Sequence, residues 1–205
     1  MLKKKYDSSL IDDRIVEIDI ATRPDCINEE IVQLLKSYKS KYDVTVELGL
    51  QTANNKIGKL INRGYDLEVF TNAVKLLNKE KIDVVVHMMI GLPNETKNDI
   101  METVEYINSL NIQGIKIHST YIVKGTVLEQ WYKEGKYKPI TLEYYLENLI
   151  YVITHLNKEI VVHRITGDAP KDLLVAPEWN LHKKWVLNGV EKIMKERNLC
   201  QGCEK

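Results

Sequence analysis

Much that would direct a chain out of the cytoplasm or onto a charged polymer is missing here. There are only three cysteines, Cys26, Cys200 and Cys203, too few and too unevenly spaced for a disulfide framework. No apolar run is long enough to span a bilayer, and the opening MLKKKYDSSL has no apolar stretch of the kind a signal peptide needs. Net charge is absent too. The 29 Lys and Arg residues balance 29 Asp and Glu, with no long basic run beyond LKKK, so composition gives no support to a nucleic-acid or membrane-surface role. The expected location is the cytoplasm. Internal repeats, low-complexity tracts and linkers are also lacking.

What is present is globular in composition, 44% apolar and 28% charged. The 205 residues suffice for one large domain or an incomplete piece of a larger one. Short apolar runs alternate with longer amphipathic segments. Strands are expected over 15–21, 44–50, 84–90, 114–122 and 160–165. Helices are expected after Asn28, over 56–62, 66–79, 96–110 and 141–156, and in the tail over 182–198. Thr96 and Asp99 stand at capping-box spacing. Strand–helix alternation with near-continuous apolar strands predicts an α/β fold, a parallel sheet covered by helices.

The strands carry polar residues where a plain core would not. In VVVHMMIGLPNET a histidine interrupts an apolar strand that stops at Gly-Leu-Pro. Side chains alternate between faces, so Glu47, Gly49 and Gln51 share one face, as do His87, Met89 and Gly91, and His118 with Thr120. His163 lies in the last strand. A lone buried histidine ordinarily donates to a backbone carbonyl, but an unpartnered buried polar group costs roughly 2–7 kcal/mol. Four strands each carrying such a residue favour a site, and inward polar residues near strand ends favour a (β/α) barrel.

These residues also resemble a family. VELGLQTANNKIGKLINRGY, VHMMIGLPNET and GIKIHSTYIVKGT, in that order, resemble the C-terminal part of a radical S-adenosylmethionine (SAM) enzyme, in an Fe–S oxidoreductase-like branch related to the Elongator catalytic subunit. ATRPDC and VVHRITGDAPKDLLVAPEW look specific to that branch. The resemblance implies a partial (β/α) barrel of parallel strands, here without its first strands. It implies one incomplete domain, with barrel sequence over 15–123 and a family-specific extension over 124–205. It also implies a small-molecule cofactor, SAM, bound next to a [4Fe-4S] cluster that donates an electron into the sulfonium and yields a 5′-deoxyadenosyl radical.

By the same resemblance, Gln51 and Arg63, twelve residues apart, are candidate SAM contacts. His87 takes the place of an Asp that contacts SAM in the coproporphyrinogen-oxidase branch, although an imidazole cannot copy a carboxylate's bidentate grip on a ribose diol. Gly91 is the turn that lets backbone approach the cofactor. Tyr121 and Ile122 map to the adenine pocket, and Glu47 is a weaker carry-over. His118, His163, Arg164 and Asp168 are candidates for the substrate side.

Two departures from the family pattern stand out. Relatives place a carboxylate three residues before the Pro of Arg-Pro-Asp, where this chain has Ala21. The three-cysteine loop that binds the cluster is also missing, and thiolate number and spacing define such a site. Cys26 is isolated, and Cys200 and Cys203 supply half a metal site at most. A chain beginning at the third barrel strand would leave a free sheet edge and uncovered apolar faces, from which self-association is expected. The leading reading is the C-terminal portion of a radical SAM oxidoreductase, inactive alone. Two others stay open: a metal-dependent barrel hydrolase or isomerase using Glu47, His87, His118 and His163, and a non-catalytic interaction module.

Overall fold

The computed structural model describes residues 1–205. In chain order the elements are α1 (Leu2–Ser9), β1 (Glu17–Thr22), α2 (Glu29–Tyr38), β2 (Asp43–Gln51), α3 (Asn55–Leu60), α4 (Leu67–Lys79) and β3 (Asp83–Ile90). They continue with α5 (Lys97–Asn108), β4 (Gly114–Ser119), β5 (Ile122–Val123), α6 (Val127–Lys133), α7 (Leu142–His155), β6 (Val161–Arg164), β7 (Leu174–Ala176) and α8 (Lys183–Glu196). Six consecutive helices, α2 to α7, begin at Asn28, Asn54, Asp66, Thr96, Thr126 and Thr141, whose side chains accept first-turn amides. Thr96 and Asp99 form the reciprocal capping box that their spacing predicts.

The main sheet has the order β1-β2-β3-β4-β6, with every pair parallel. This is the expected α/β architecture of a partial barrel, and the sheet stays open. The expected strand over 114–122 breaks after Ser119. The Thr120 amide still donates to Ile90 (2.9 Å), but Ile122 and Val123 turn away and pair antiparallel with β7. Helices α1 and α6 have no buried residue. Both are short, and α6 turns the partly covered Leu128 and Trp131 toward the rest of the chain.

Strand alternation divides the molecule sharply. Ile18, Val44, Val46, Leu48, Leu50, Val84, Val86, Met88, Ile90, Ile115 and Ile117 all face the helices and belong to one 35-residue core. Their neighbours Asp19, Thr45, Glu47, His87, Lys116 and His118 lie on the opposite face, aligned by the register Gly49–His87–Lys116 and Met89–His118. The core is therefore one-sided: helices cover one face of the sheet, and the other is polar. This corrects the premise behind the expected self-association. The uncovered face of the sheet is charged rather than apolar, although β1 still presents a free edge next to exposed Val16. No helix is long and apolar enough to cross a membrane.

Candidate functional site

Glu47 is the hub of the polar face. It is 7% exposed. His87 Nε2 donates to its Oε2 at 2.5 Å, and the Lys116 ammonium donates to Oε1. Asp19 on the edge strand hydrogen-bonds the same carboxylate. Burial alone would raise the Glu47 carboxyl, but hydrogen bonds from Asp19, Lys116 and His87 outweigh it and hold the group near 2. Asp19 is pushed the other way, to about 6, by burial and by the neighbouring Glu47 carboxylate. The two neighbouring carboxyls are driven apart, and Asp19 is the one that takes up a proton first as pH falls.

His118 stacks on His87, with ring centroids 5.1 Å apart and planes 26° from parallel. Burial, with His87, Arg164 and Lys116 near it, lowers its imidazole to about 4, so it is neutral at pH 7. Its Nε2 is buried with no hydrogen-bond partner. His163 is also brought to this face. Its Nε2 would lie 2.4 Å from a Cβ at residue 114, so the ring rests where only Gly114 leaves room. Beyond it, Arg164 and Lys183 both pair with Asp168 (Arg164 at 3.4 Å).

At the C-terminal end of β2 the strand bulges between Gly49 and Gln51. Gln51 sits at φ 60, a left-handed conformation that costs a non-glycine residue about 1–3 kcal/mol and clusters at functional sites. Tyr65 pins it, donating to the Gly49 carbonyl (2.7 Å) and lying 3.3 Å from Gln51 Oε1. Arg63 does not reach out from this loop. It is 6% exposed, and its guanidinium donates to the carbonyls of Leu50 (2.9 Å), Thr52 (2.7 Å) and Tyr65 (2.8 Å) and to Asn55 Oδ1 (2.9 Å). Four of its five N–H donors are engaged in holding the loop that carries Gln51.

Gly91 is likewise engaged within the chain. Its amide donates to Glu95 Oε2 (2.6 Å), and its carbonyl accepts from the Tyr137 hydroxyl (2.7 Å). At φ +90, with Ile140 Cδ1 only 2.6 Å from any added Cβ, glycine is required. Both backbone polar groups are engaged, so Gly91 shapes the turn and leaves no free donor for a cofactor. Burial pushes the Glu95 carboxyl up to about 7, against the hydrogen bonds from Gly91 and Leu92.

Beside this turn, at the ends of β3 and β4, a cavity of about 410 Å³ is lined by Met89, Leu92, Pro93, Thr120, Tyr121 and Leu128 among others. Thr120 is 3% exposed and its Oγ1 has no partner. An apolar slot with one orphaned hydroxyl suits a flat heterocycle that brings its own hydrogen-bonding edge. Tyr121 borders this cavity and donates to the Asp168 carbonyl (3.1 Å). The Ile122 side chain is fully buried in the small β5–β7 ribbon, next to Tyr121 at the cavity's border.

The residues present therefore fit SAM but not its cluster. Cys26, Cys200 and Cys203 are all exposed thiols. No group of three or more His, Cys, Asp or Glu side chains converges on a metal position. The metal-hydrolase reading fails on the same geometry. Lys116 holds one oxygen of Glu47, His87 holds the other, and the His87 and His118 rings stack instead of converging. Sequence reasoning missed Asp19, Lys116, Tyr65 and Glu95. The first two were within reach, since strand parity puts them on the face of Glu47 and His87.

Comparison with known proteins agrees with this geometry. Residues 1–107 match the Radical SAM superfamily, and residues 112–196 match the Radical_SAM C-terminal domain. The chain is 37% identical to the Bacillus subtilis protein YtqA, over 98% of this chain and 63% of that protein. It is 31% identical to a tRNA uridine(34) acetyltransferase of Methanocaldococcus infernus, over 79% of this chain and 30% of that protein. Among solved structures, the archaeal Methanocaldococcus infernus Elp3 with an N-terminal deletion superposes with a TM-score of 0.77 at 30% identity, over 91% of this chain and 43% of that one. The chain thus spans less than two thirds of these relatives. Members of this family use SAM with a [4Fe-4S] cluster, whose ligands are not among these residues. From its polar barrel face to its two matched segments, the chain belongs to the radical SAM superfamily.

Proposed function

We propose that this chain is the SAM-holding and substrate-facing portion of a radical SAM enzyme that acts on a base of a structured RNA. The observation that carries the SAM half is the apolar cavity at the ends of β3 and β4, with the buried, unpartnered Thr120 hydroxyl beside it. In this reading Leu92 and Pro93 grip the faces of the adenine, Tyr121 closes one end, and Thr120 meets the base edge. Gln51, held in its left-handed conformation by Tyr65, offers an amide to the methionyl part. His87, with Nε2 fixed on Glu47, offers Nδ1 to the ribose. Arg63 acts through the loop that it holds. Bound next to a reduced cluster, SAM supplies a 5′-deoxyadenosyl radical. The cluster's ligands are not in these residues.

On the substrate side, the Asp19–Glu47–Lys116 network and the neutral His118 place carboxylates, one cation and an imidazole on the open face. His163, Arg164 and Asp168 border it. The RNA half is supported by relatives about 30% identical that are named for tRNA uridine(34). The test is saturation-transfer difference NMR of SAM with this chain. Adenine protons should saturate from methyl groups of the cavity, and Thr120→Val should weaken binding about tenfold, as losing one buried hydrogen bond predicts. No adenine saturation at millimolar SAM, or an unchanged affinity in Thr120→Val, would sink the adenine assignment.

A further inference from the structure

Helix α8 starts differently from α2 to α7. Its N-cap residue is His182, whose side chain makes no cap bond, and its first turn has no acidic residue. The His182 ring stacks instead on Trp185, centroids 4.2 Å apart and planes 19° from parallel. The amides of Lys183 and Lys184 find no acceptor in the chain. An uncapped start of a 14-residue helix presents free N–H donors and partial positive charge. That alone marks no site.

The second observation is Asn180. It is 5% exposed, its Oδ1 accepts from the Ser119 hydroxyl, and its Nδ2 is buried with no partner. Buried amide donors are nearly always satisfied, so an acceptor is missing from this spot. Asn180 lines the same cavity, about 630 Å³, as the first residues of α8. The charges around that cavity favour an anion. Lys171, Lys183 and Lys184 line it against Asp168 alone. Asp168 pairs with Lys183 and Arg164, which leaves Lys171 and Lys184 without an ion pair.

We infer that this cavity is a binding site for a phosphate group, held by the free amides of α8, the Asn180 amide, Lys171 and Lys184. Donors arriving from a helix start, a neighbouring turn and two lysines suit a tetrahedral oxyanion with three acceptor oxygens and nearly two charges. Trp185, 52% exposed on the His182 ring, adds a flat face on which a base attached to that phosphate stacks. A free nucleotide and an RNA backbone both supply this chemistry. The inference does not depend on the SAM reading, which concerns a different cavity.

The test follows the Lys183 and Lys184 amides and the Asn180 side-chain amide by ¹H–¹⁵N NMR as inorganic phosphate is added at constant ionic strength. The expected result is a saturable shift confined to these groups. Asn180→Asp, which keeps the Ser119 acceptor but replaces the donor with a carboxylate, should raise the Kd at least tenfold. Lys184→Glu, at an exposed position where folding is not at stake, should do the same. Shifts that sodium chloride reproduces, or a Kd that Lys184→Glu leaves unchanged, would overturn the site. Adenosine monophosphate and a short RNA without terminal phosphates then separate the sources. Displacement of phosphate by the nucleotide, weakened in Trp185→Ala, supports a free nucleotide. Displacement by the RNA with a steep salt dependence supports a backbone phosphate. Failure of both to compete would overturn the assignment to a phosphate ester.

Discussion

Arg63→Met removes a guanidinium that donates to three backbone carbonyls and to Asn55 Oδ1 in a site that is 6% exposed. A hydrogen bond from a charged donor contributes about 1.5–3 kcal/mol, but four bonds from one group are not independent, and the substitution also relieves the burial of a charge. The net loss should be about 3–5 kcal/mol, the range for breaking a buried charged site. Against a total stability of about 5–15 kcal/mol, that is a large fraction. Asn55 Oδ1 also accepts the Leu67 amide (3.1 Å), so the start of α4 should loosen together with the loop after β2. Arg63→Lys should recover less than half, because one ammonium cannot span acceptors arranged for a planar fork. Urea unfolding followed by far-ultraviolet circular dichroism measures the loss, with SAM affinity measured alongside under native conditions. A loss below about 1 kcal/mol, combined with abolished SAM binding, would refute the argument and return Arg63 to the cofactor.

The other predictions concern charge and strand parity. Glu95 is raised to about 7 from 4.5, so the native state holds its proton more tightly than the unfolded chain. Stability from this group is full below pH 4.5 and declines by about 3 kcal/mol as pH rises through 7. Glu95→Gln should flatten that slope, and thermal unfolding at pH 5 and pH 8 giving equal differences for both proteins would contradict it. Carboxyl ¹³C NMR should find Asp19 titrating near 6 while Glu47 remains ionised down to about 2. Lys116→Met should raise the titration of Glu47, and no movement there would remove Lys116 from the network. Met88→Ala should cost about 2–5 kcal/mol, since Met88 is fully buried on the helix side. Met89→Ala, one residue on and facing the cavity, should cost less than half as much in the same urea experiment.

Much of the fold was legible because strand and helix periods differ and the core uses both. The run around His87 reads as a strand from its apolar neighbours, and its partner helix from Thr96 and Asp99 at capping distance. The family resemblance likewise located the segments that build the site. Arg63 was harder. Its spacing from Gln51 is visible in the sequence, but its partners are carbonyls of a loop whose course depends on left-handed Gln51 and Asn62, and no pattern of residue types encodes that. Gly91 was recognisable as a turn, whereas the engagement of its amide by Glu95 and of its carbonyl by Tyr137, 46 residues further on, is purely tertiary. The β5–β7 ribbon pairs Ile122 with Ala176, and segments of two and three residues carry too little alternation to be read. Asp19 and Lys116 are different. Their parity with Glu47 and His87 was available, and charged residues were passed over because they look like ordinary surface.

The one-sided core explains how an open sheet can be both stable and chemically equipped. Every strand residue of the 35-residue cluster points at the helices, so the apolar burial that stabilises the sheet does not depend on closing the barrel. The opposite face is then free to carry charge, and it does so in balance. Lys116 offsets Glu47, Asp19 is the carboxyl that protonates first as pH falls, and His118 stays neutral. A buried charge without such partners would cost several kcal/mol, and here each carboxylate oxygen of Glu47 has a donor. The groups left unsatisfied are few and local: His118 Nε2, Thr120 Oγ1 and Asn180 Nδ2. Native chains rarely leave buried polar atoms unpaired, and the readings proposed above give two of these three a ligand partner. Two of them border the cavities assigned here to SAM and to phosphate, and the third faces the open side of the sheet.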